Sequence, residues 1–389
     1  MTQNPNVSLV QDARLAAGIK ALGLNVLPVC TAPVASMNFD TTGRATPCCY
    51  NREFELGRYP QNSLKEIWFN QKRQTLGDAL NRYDFDKGCF QCKRQILIQN
   101  DHLLLNAFRK YRLPNENGYP SHIDFEFANV CNYECIMCGG KWSSSIRRNR
   151  EKLPPLPSPF DDLFLKQLDE FIPHLKSATF VGGEPFLCDL YFKMWERMSQ
   201  LNRNITIDVV SNCSVYNSKV EAVLGSLPNM KIIASMDSVR RETYERIRKN
   251  GKFEVVLKNL ERYIAQKRLT LINCCTLIQN IDEVPEMIAY CEKHNLYVNF
   301  IYTADALGCR IKGIHADGWS DGAWNGEGYD PVSFQKGERL PEFRLSTLSV
   351  KELTNIKSIV ENTQQSCREY LKGTLQGLLN QIQGYIDAK

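Results

Sequence analysis

The sequence predicts an α/β protein: six βα units forming a partial barrel, preceded by a small cysteine-bearing α+β module and followed by a helical extension. Three observations carry that expectation. From Ser121 onward, short apolar runs rich in β-branched residues alternate with longer segments of helical period, the pattern of βα repeats around a parallel sheet. Between Leu27 and residue 115 this alternation is missing, and Cys30, Cys48, Cys49, Cys89 and Cys92 stand there instead. After Thr303 the periodicity stops, and helical spacing returns only from Ser349. The predicted divisions are an N-terminal segment 1–26, a cysteine module 27–115, the barrel 120–304, and a loop with C-terminal helices over 305–389.

Taken in order, the barrel strands are expected at Ile123 to Ala128, Ser177 to Gly182, Ile205 to Ser211, Lys231 to Met236, Leu269 to Thr276 and Val298 to Thr303. Helices are expected at Asp161 to Leu175, Asp189 to Leu201, Lys252 to Lys267 and Asp282 to Asn295. Asp161 and Asp282 are read as N-caps, because an aspartate side chain can accept from the unpaired amides of a first turn. Pro154 to Pro159 holds four prolines in six residues and must be a loop. From Ser349, the residues Val350, Leu353, Ile356, Ile359 and Val360 form an apolar helical stripe expected to pack as core.

A chain of 389 residues can bury ample apolar surface without covalent staples, so stability does not explain its 15 cysteines. There is no N-terminal apolar run of the export type and no run long enough to span a bilayer, so a reducing, cytoplasmic setting without disulfides is expected. The 48 basic and 43 acidic residues are interspersed, which points away from a nucleic-acid or membrane partner. Arg147, Arg148, Arg150 and Lys152 are read as a solvated helix face.

Directly after the first strand, Cys131, Cys135 and Cys138 stand in a CxxxCxxC spacing. Three thiolates on a four-iron cube leave one iron open to a bound molecule, and the loops at the C-terminal ends of parallel strands are where barrel chemistry collects. After the second strand comes Gly182-Gly183-Glu184-Pro185, where two glycines let backbone approach closely and a carboxylate can receive an ammonium. Together these residues resemble the radical S-adenosylmethionine (SAM) superfamily. The resemblance implies a partial (β/α)6 TIM-like barrel, with Cys131, Cys135 and Cys138 holding a [4Fe-4S] cluster whose open iron takes SAM. It implies that Gly182, Gly183 and Glu184 receive the methionyl amino group, and that Ser211, Asn212 and Ser235 face the nucleotide. Asp237 would order its loop, and Arg248, in preference to Arg246, would hold the carboxylate. Met137 stands where relatives often carry an adenine-packing aromatic; a thioether makes a comparable contact. Asn280 and the Ile301-Tyr302 pair are placed beside the adenine.

Upstream, the order Cys30, Gly43, Cys48, then Ser63-Leu64-Lys65-Glu66-Ile67-Trp68 and the Cys89-Phe90-Gln91-Cys92 knuckle resembles the auxiliary-cluster modules called SPASM or twitch. The resemblance implies one further [4Fe-4S] cluster on Cys30, Cys48, Cys89 and Cys92, with Cys49 as the alternative to Cys48. It also implies a hairpin between the first two ligands and a helix from the Ser63 stretch. A structural zinc in the same four thiolates is the bland alternative. The remaining cysteines are expected to be small buried hydrophobes, except that Cys309 could contact substrate. The segment 305–339, rich in Gly, Trp and acidic residues including His315, Asp317, Trp319, Trp324 and Tyr329, is read as substrate pocket or lid.

The implied activity is reductive cleavage of SAM to a 5'-deoxyadenosyl radical that removes a hydrogen atom from a substrate carbon, with a flavodoxin- or ferredoxin-type reductant. An electron-transferring auxiliary cluster favours net oxidation or bond formation. One auxiliary cluster, and no leader-peptide-binding domain before Leu27, point to a small molecule; a peptide- or protein-modifying maturase is the alternative. A non-catalytic iron-sulfur or zinc-stabilised electron-transfer or binding protein is the reading from another class.

Overall fold

The computed structural model describes residues 2–97, 114–302, 345–387 and 389. Two compact units divide the chain, one made of Met1–Phe127, Pro157–Phe180 and Met194–Ile207, the other of Ala128–Leu156, Val181–Lys193 and Asp208–Lys389.

In the first unit, β1 (Thr2–Gln3) pairs antiparallel with β2 (Val26–Leu27). The larger set comprises β3 (Ser36–Phe39), β4 (Arg44–Thr46), β5 (Gly57–Arg58), β6 (His122–Phe125) and β7 (Ser177–Phe180), in the order β7-β6-β3-β4-β5. Strand β3 runs parallel to β6, and β6 parallel to β7, whereas β3, β4 and β5 are joined antiparallel. The cysteine module therefore contributes a hairpin that lies edge to edge with the first predicted barrel strand. Its turn needs Gly43: φ is +81°, and a Cβ there would meet Tyr59 O at 2.1 Å. One face of this sheet is aromatic. Phe39 meets Phe164 edge-on at 5.5 Å, Phe125 meets Phe127 at 5.1 Å, and Phe127 stacks on Phe160 at 3.7 Å.

Two caps define the helices beneath that core. The Ser63 side chain accepts from Glu66 N–H while Glu66 accepts from Ser63 N–H, a reciprocal capping box that starts helix Leu64–Trp68. Asp161 accepts from Phe164 N–H at 2.9 Å to start helix Asp162–Phe171, and also accepts the Tyr59 hydroxyl, which ties the helix to the hairpin side.

The second unit carries β8 (Thr206–Ser211) from Asp208 on, β9 (Met230–Ser235), β10 (Leu269–Thr276) and β11 (Tyr297–Tyr302), in the order β11-β10-β9-β8. The pairs β9–β10 and β10–β11 are parallel. Helices Asp189–Leu201, Ser218–Ser226, Phe253–Ala265 and Val284–His294 follow the strands in turn, the βα order of a partial (β/α)6 barrel. Helices Val350–Ser366 and Glu369–Asp387 close the chain and pack on each other. No helix among the described residues is long and apolar enough to cross a membrane.

All six predicted strands exist, with shifted ends. The first stops at Phe125 and the second at Phe180, because the chain leaves the sheet there; Gly182 and Gly183 already have φ of +88° and +57°. The helix expected to run to Leu175 ends at Phe171, and Pro173 sits in a following 3-10 turn, since a proline removes the amide the α-helix needs. The helix expected from Asp282 begins at Val284 with a proline in its first turn; Asp282 lies in a 3-10 turn and is not its N-cap. Asn295, with φ of 53°, closes that helix in the left-handed conformation. On the penultimate helix Leu353 and Val360 are buried, but Val350 is 44% exposed.

Replacing Asp161 by Ala removes both the cap and the Tyr59 tether, and is expected to lower stability by about 1–2 kcal/mol, with Asp161→Asn losing less. Urea unfolding of the two variants checks this.

Candidate active site

The CxxxCxxC segment is a loop with little regular structure, so its shape is set by backbone hydrogen bonds to what surrounds it. Glu134 N–H donates to Lys249 O at 3.0 Å, and Ile136 N–H to Ile247 O at 2.9 Å. Cys131 N–H donates to Ser144 Oγ at 3.1 Å, and the Ser144 and Ser145 hydroxyls donate to Cys131 O at 3.2 and 2.8 Å. Asn129 Nδ2 reaches Gly140 O at 2.8 Å, closing the loop end to end. The three thiols lie within one another's electrostatic reach: Cys131 and Cys135 both act on Cys138. Burial pushes the Cys135 thiol up to about 12, against the pull of Arg248, and raises Cys138 too. Cys131 is also raised by burial, opposed by Tyr133 N–H, which donates to its Sγ at 3.4 Å.

The Gly-Gly-Glu turn lies against this loop. Glu184 N–H donates to Val130 O at 2.7 Å, and a Cβ on Gly183 would sit 2.2 Å from that same oxygen. No side chain fits there. The Glu184 carboxylate is fully buried and accepts from Phe186 N–H at 3.2 Å, from the Ser211 hydroxyl at 2.8 Å and from Asn212 N–H at 2.7 Å. It joins the end of β8 to the turn. Burial raises its pKa to about 7 although all three hydrogen bonds favour the charged form. Asn212 Nδ2 in turn reaches Asn132 Oδ1 at 3.1 Å and approaches Cys131 Sγ at 4.0 Å. Predicted residues from three separate stretches, 131–138, 182–184 and 211–212, are thus brought together.

Arg248 is buried and pairs with the fully buried Asp237, Nε to Oδ2 at 2.8 Å. The two atoms are in ion-pair contact without an aligned hydrogen bond. Burial works against the Arg248 charge, but Asp237 and then the Cys135 thiol hold it on the protein. Asp237 Oδ1 accepts Cys275 N–H at 2.8 Å, and Asn280 Nδ2 donates to Asp237 O at 2.6 Å and Cys275 O at 2.8 Å, so Asp237 and Asn280 lock the end of β9 to the end of β10. Met137 packs in a small apolar cluster with Ile136, Ile247, Leu277 and Cys275. Ser235 is half-buried at the end of β9. Arg150, read above as solvated, donates to the Cys135 carbonyl at 3.3 Å, because its helix folds back on the loop. Ser144, Ser145 and Asn129 had no signal in the sequence; single polar residues beside a motif look like ordinary loop.

In the first unit a second set of thiols converges. Cys48 lies within electrostatic reach of Cys49, Cys92, Cys30 and Cys89. Burial raises Cys30 to about 11 and Cys89 to about 12, and raises Cys48 and Cys92 as well. Several sulfurs already accept N–H donors: Cys30 from Ala32 N–H at 3.4 Å, Cys48 from Asn51 N–H at 3.4 Å, and Cys89 from Asn51 Nδ2 at 3.2 Å. Asn51 therefore bridges two of the four expected ligands. Arg52 Nε donates to Cys49 O at 2.7 Å, and the same guanidinium pairs with Glu126 at 2.8 Å. Cys309 and the residues 315–329 singled out above lie outside the described residues.

Residues 125–291 match the Radical SAM superfamily, and residues 30–93 match an iron-sulfur cluster-binding domain, SPASM. The chain carries a radical SAM domain with a SPASM domain N-terminal to it. Among particular proteins it is similar to the GTP 3',8-cyclases of Aliarcobacter butzleri, 24% identical over 52% of this chain and 62% of the relative, and of Chlorobaculum tepidum, 23% identical over 46% and 52%. The chain thus spans roughly half to three-fifths of the length of these curated relatives. Among solved structures it is similar to Streptococcus suis SuiB bound to precursor peptide SuiA, with TM-score 0.44 and 10% identity over 76% of this chain and 62% of that one. It is also similar to anSMEcpe with bound AdoMet, with TM-score 0.43 and 17% identity over 63% and 60%.

The cofactors of these domains are a SAM-binding [4Fe-4S] cluster, SAM and auxiliary iron-sulfur. The donors fit that chemistry: thiols only, in two groups, with N–H groups already aimed at sulfur. Among the described residues no three His, Cys, Asp or Glu side chains close on a single ion-sized point. Thiolates on a four-iron cube each bond a different iron, so they have no need to.

Gly183→Ala is expected to abolish proper closure of the loop, because both φ and the Val130 contact forbid a Cβ. SAM binding by equilibrium dialysis should fall at least about tenfold, whereas Gly182→Ala should fall less.

Proposed function

We propose that this chain is a radical SAM enzyme in which Cys131, Cys135 and Cys138 hold the SAM-binding cluster and the Gly182–Glu184 turn with Ser211, Asn212, Ser235, Met137 and Arg248 receives SAM. The observation that carries the reading is the Gly183–Val130 contact: the turn expected to bind the amino acid end of SAM is built directly against the cysteine loop. When bound, the reduced cluster and SAM supply a 5'-deoxyadenosyl radical that takes a hydrogen atom from the substrate. The chain's residues do the positioning. Glu184, when ionised, offers a buried carboxylate for an ammonium, and its three donors hold it in place. Arg248 is a positive charge beside Cys135; its ion pair with Asp237 keeps it there, and a carboxylate ligand would share it with Asp237.

In the first unit, Cys30, Cys48, Cys89 and Cys92 are the proposed ligands of one auxiliary [4Fe-4S] cluster, serving electron transfer. The Asn51 N–H donated to Cys48 Sγ supports Cys48 as the ligand, with Cys49 the alternative. A module over 27–115 and a barrel over 120–304 are the proposed domains, built around the matched spans 30–93 and 125–291. The named activity of the GTP 3',8-cyclase relatives supports a small-molecule substrate and a bond-forming or oxidative outcome. A flavodoxin- or ferredoxin-type protein is the proposed reductant. A reducing, cytoplasmic compartment is the proposed setting.

Anaerobic reconstitution should give about eight irons per chain, and dithionite should then release 5'-deoxyadenosine from SAM. The Cys131→Ala/Cys135→Ala/Cys138→Ala variant should retain about four irons and lose all cleavage. Zinc in place of iron, or no cleavage by the wild type, overturns the reading.

Glu184 also sets a pH dependence. Its pKa near 7 in the folded chain lies above the ordinary carboxylate value, so the site is neutral below pH 7 and charged above it. SAM affinity is therefore expected to rise with pH and level off above about 7, falling up to about tenfold per unit below it. Titrations across this range should show the slope in the wild type and a flat, weaker profile in Glu184→Gln. By the same shift, the folded state holds this proton more tightly than the unfolded chain, so Glu184 opposes folding increasingly as pH rises through 7.

A further inference from the structure

The run Cys48-Cys49-Tyr50-Asn51-Arg52 supplies the auxiliary thiol set with more than sulfur. Asn51 is buried and its amide is fixed at both ends: Oδ1 accepts from Phe54 N–H at 3.0 Å and Glu53 N–H at 3.3 Å, and Nδ2 donates to Lys87 O at 2.8 Å as well as to Cys89 Sγ. The next residue turns a charge back on the same run. Arg52 Nε donates to Cys49 O at 2.7 Å, while its Nη1 pairs with Glu126 Oε2 at 2.8 Å. Two different nitrogens are used, so the guanidinium stands between the Cys49 carbonyl and the carboxylate, with its charge toward the cysteines.

Glu126 is not a surface counter-ion. It follows β6 directly, its side chain is 3% exposed, and its N–H donates to Phe39 O at the end of β3 at 2.9 Å. Exposed ion pairs hold their geometry weakly, but a buried carboxylate left alone is costly, so this one keeps the guanidinium in place. Burial works against the Arg52 charge, and Glu126 and then the Cys49 thiol hold it on the side chain. Asp40, also within reach, is paired with Arg44, Nε to Oδ2 at 3.3 Å. Tying the loop to the sheet needs no charge, because the Cys49 carbonyl asks only for a donor and a neutral amide would serve. A guanidinium with a buried carboxylate behind it instead fixes a full positive charge beside the thiols. Net charge and hydrogen bonds around the sulfurs are what set the potential of an iron-sulfur cluster.

We propose that Arg52, positioned by Glu126, raises the reduction potential of the auxiliary cluster. Reduction adds one negative charge to the four-thiolate site, and a fixed guanidinium favours that form over the oxidised one. The proposal rests on the radical SAM reading in taking these thiols as cluster ligands. It holds with either Cys48 or Cys49 as the ligand, since the guanidinium is bonded to the run that carries both.

The iron content of the full-length Cys131→Ala/Cys135→Ala/Cys138→Ala variant tests the underlying reading by itself: about four irons leave the auxiliary cluster alone in the chain, and none removes the reading and the proposal together. In that iron-loaded chain, a potentiometric titration with dithionite followed by EPR reads the midpoint potential. Adding Arg52→Gln should lower the reduction equilibrium constant at least about fivefold, ~40 mV, whereas Arg52→Lys, which keeps the charge, should stay within about twofold. Glu126→Gln removes a negative charge and should shift the potential upward. The proposal is overturned if Arg52→Gln leaves the potential unchanged or raises it, or if Arg52→Lys falls as far as Arg52→Gln, which would assign the effect to the hydrogen bond instead of the charge. Should Arg52→Gln not hold iron, Glu126→Gln decides: an upward shift supports the proposal, and no shift or a downward one overturns it.

Discussion

The arrangement of the candidate active site depends on one steric constraint, the approach of Gly183 to the backbone at Val130. With the glycine Cα pressed against a carbonyl, the turn after β7 and the loop after β6 become a single piece of structure, pinned by the Glu184 amide. The buried Glu184 carboxylate then carries the same link on to Ser211 and Asn212. Three segments distant in sequence are held by one turn and one side chain. Loops without regular structure gain rigidity in this way, because every backbone group they bury must find a specific partner.

A second constraint is electrostatic. The thiols of the CxxxCxxC loop are buried, and burial alone favours the neutral form. Arg248 counters this from within the protein, while Asp237 keeps the arginine charge and ties the ends of β9 and β10 together. Metal-bound thiolates are deprotonated, so loading such a site exchanges protons for iron. Among the auxiliary thiols, Cys49 lies within electrostatic reach of the Arg52 guanidinium, and N–H groups of Ala32 and Asn51 are aimed at the sulfurs of Cys30, Cys48 and Cys89.

Much of this was legible in the sequence. Six barrel strands and four helices followed from the change between β-branched runs and helical period, because the two faces of each element must meet different surroundings whatever the fold. The cysteine spacings and the double glycine were legible because ligand geometry and positive φ restrict residue choice locally. What lay hidden were partners supplied from a distance. Ser144 and Ser145 hold Cys131, Asn51 joins two auxiliary cysteines, and Arg150 turns from a surface residue into a donor to Cys135. Helix ends were misread where a proline moved the boundary, as at Pro173.

By itself, the sequence determined the order of elements, the two thiol sets and the turn that only glycine can make, since each follows from short-range sterics and ligand spacing. Tertiary structure alone decided that Glu184 is a buried carboxylate shared by β8, that Arg248 answers to Asp237, and that Arg52 of the cysteine module pairs with Glu126 beyond β6. The physical reason is that strand register and burial are properties of pairs of segments, and no single stretch of chain encodes its neighbour.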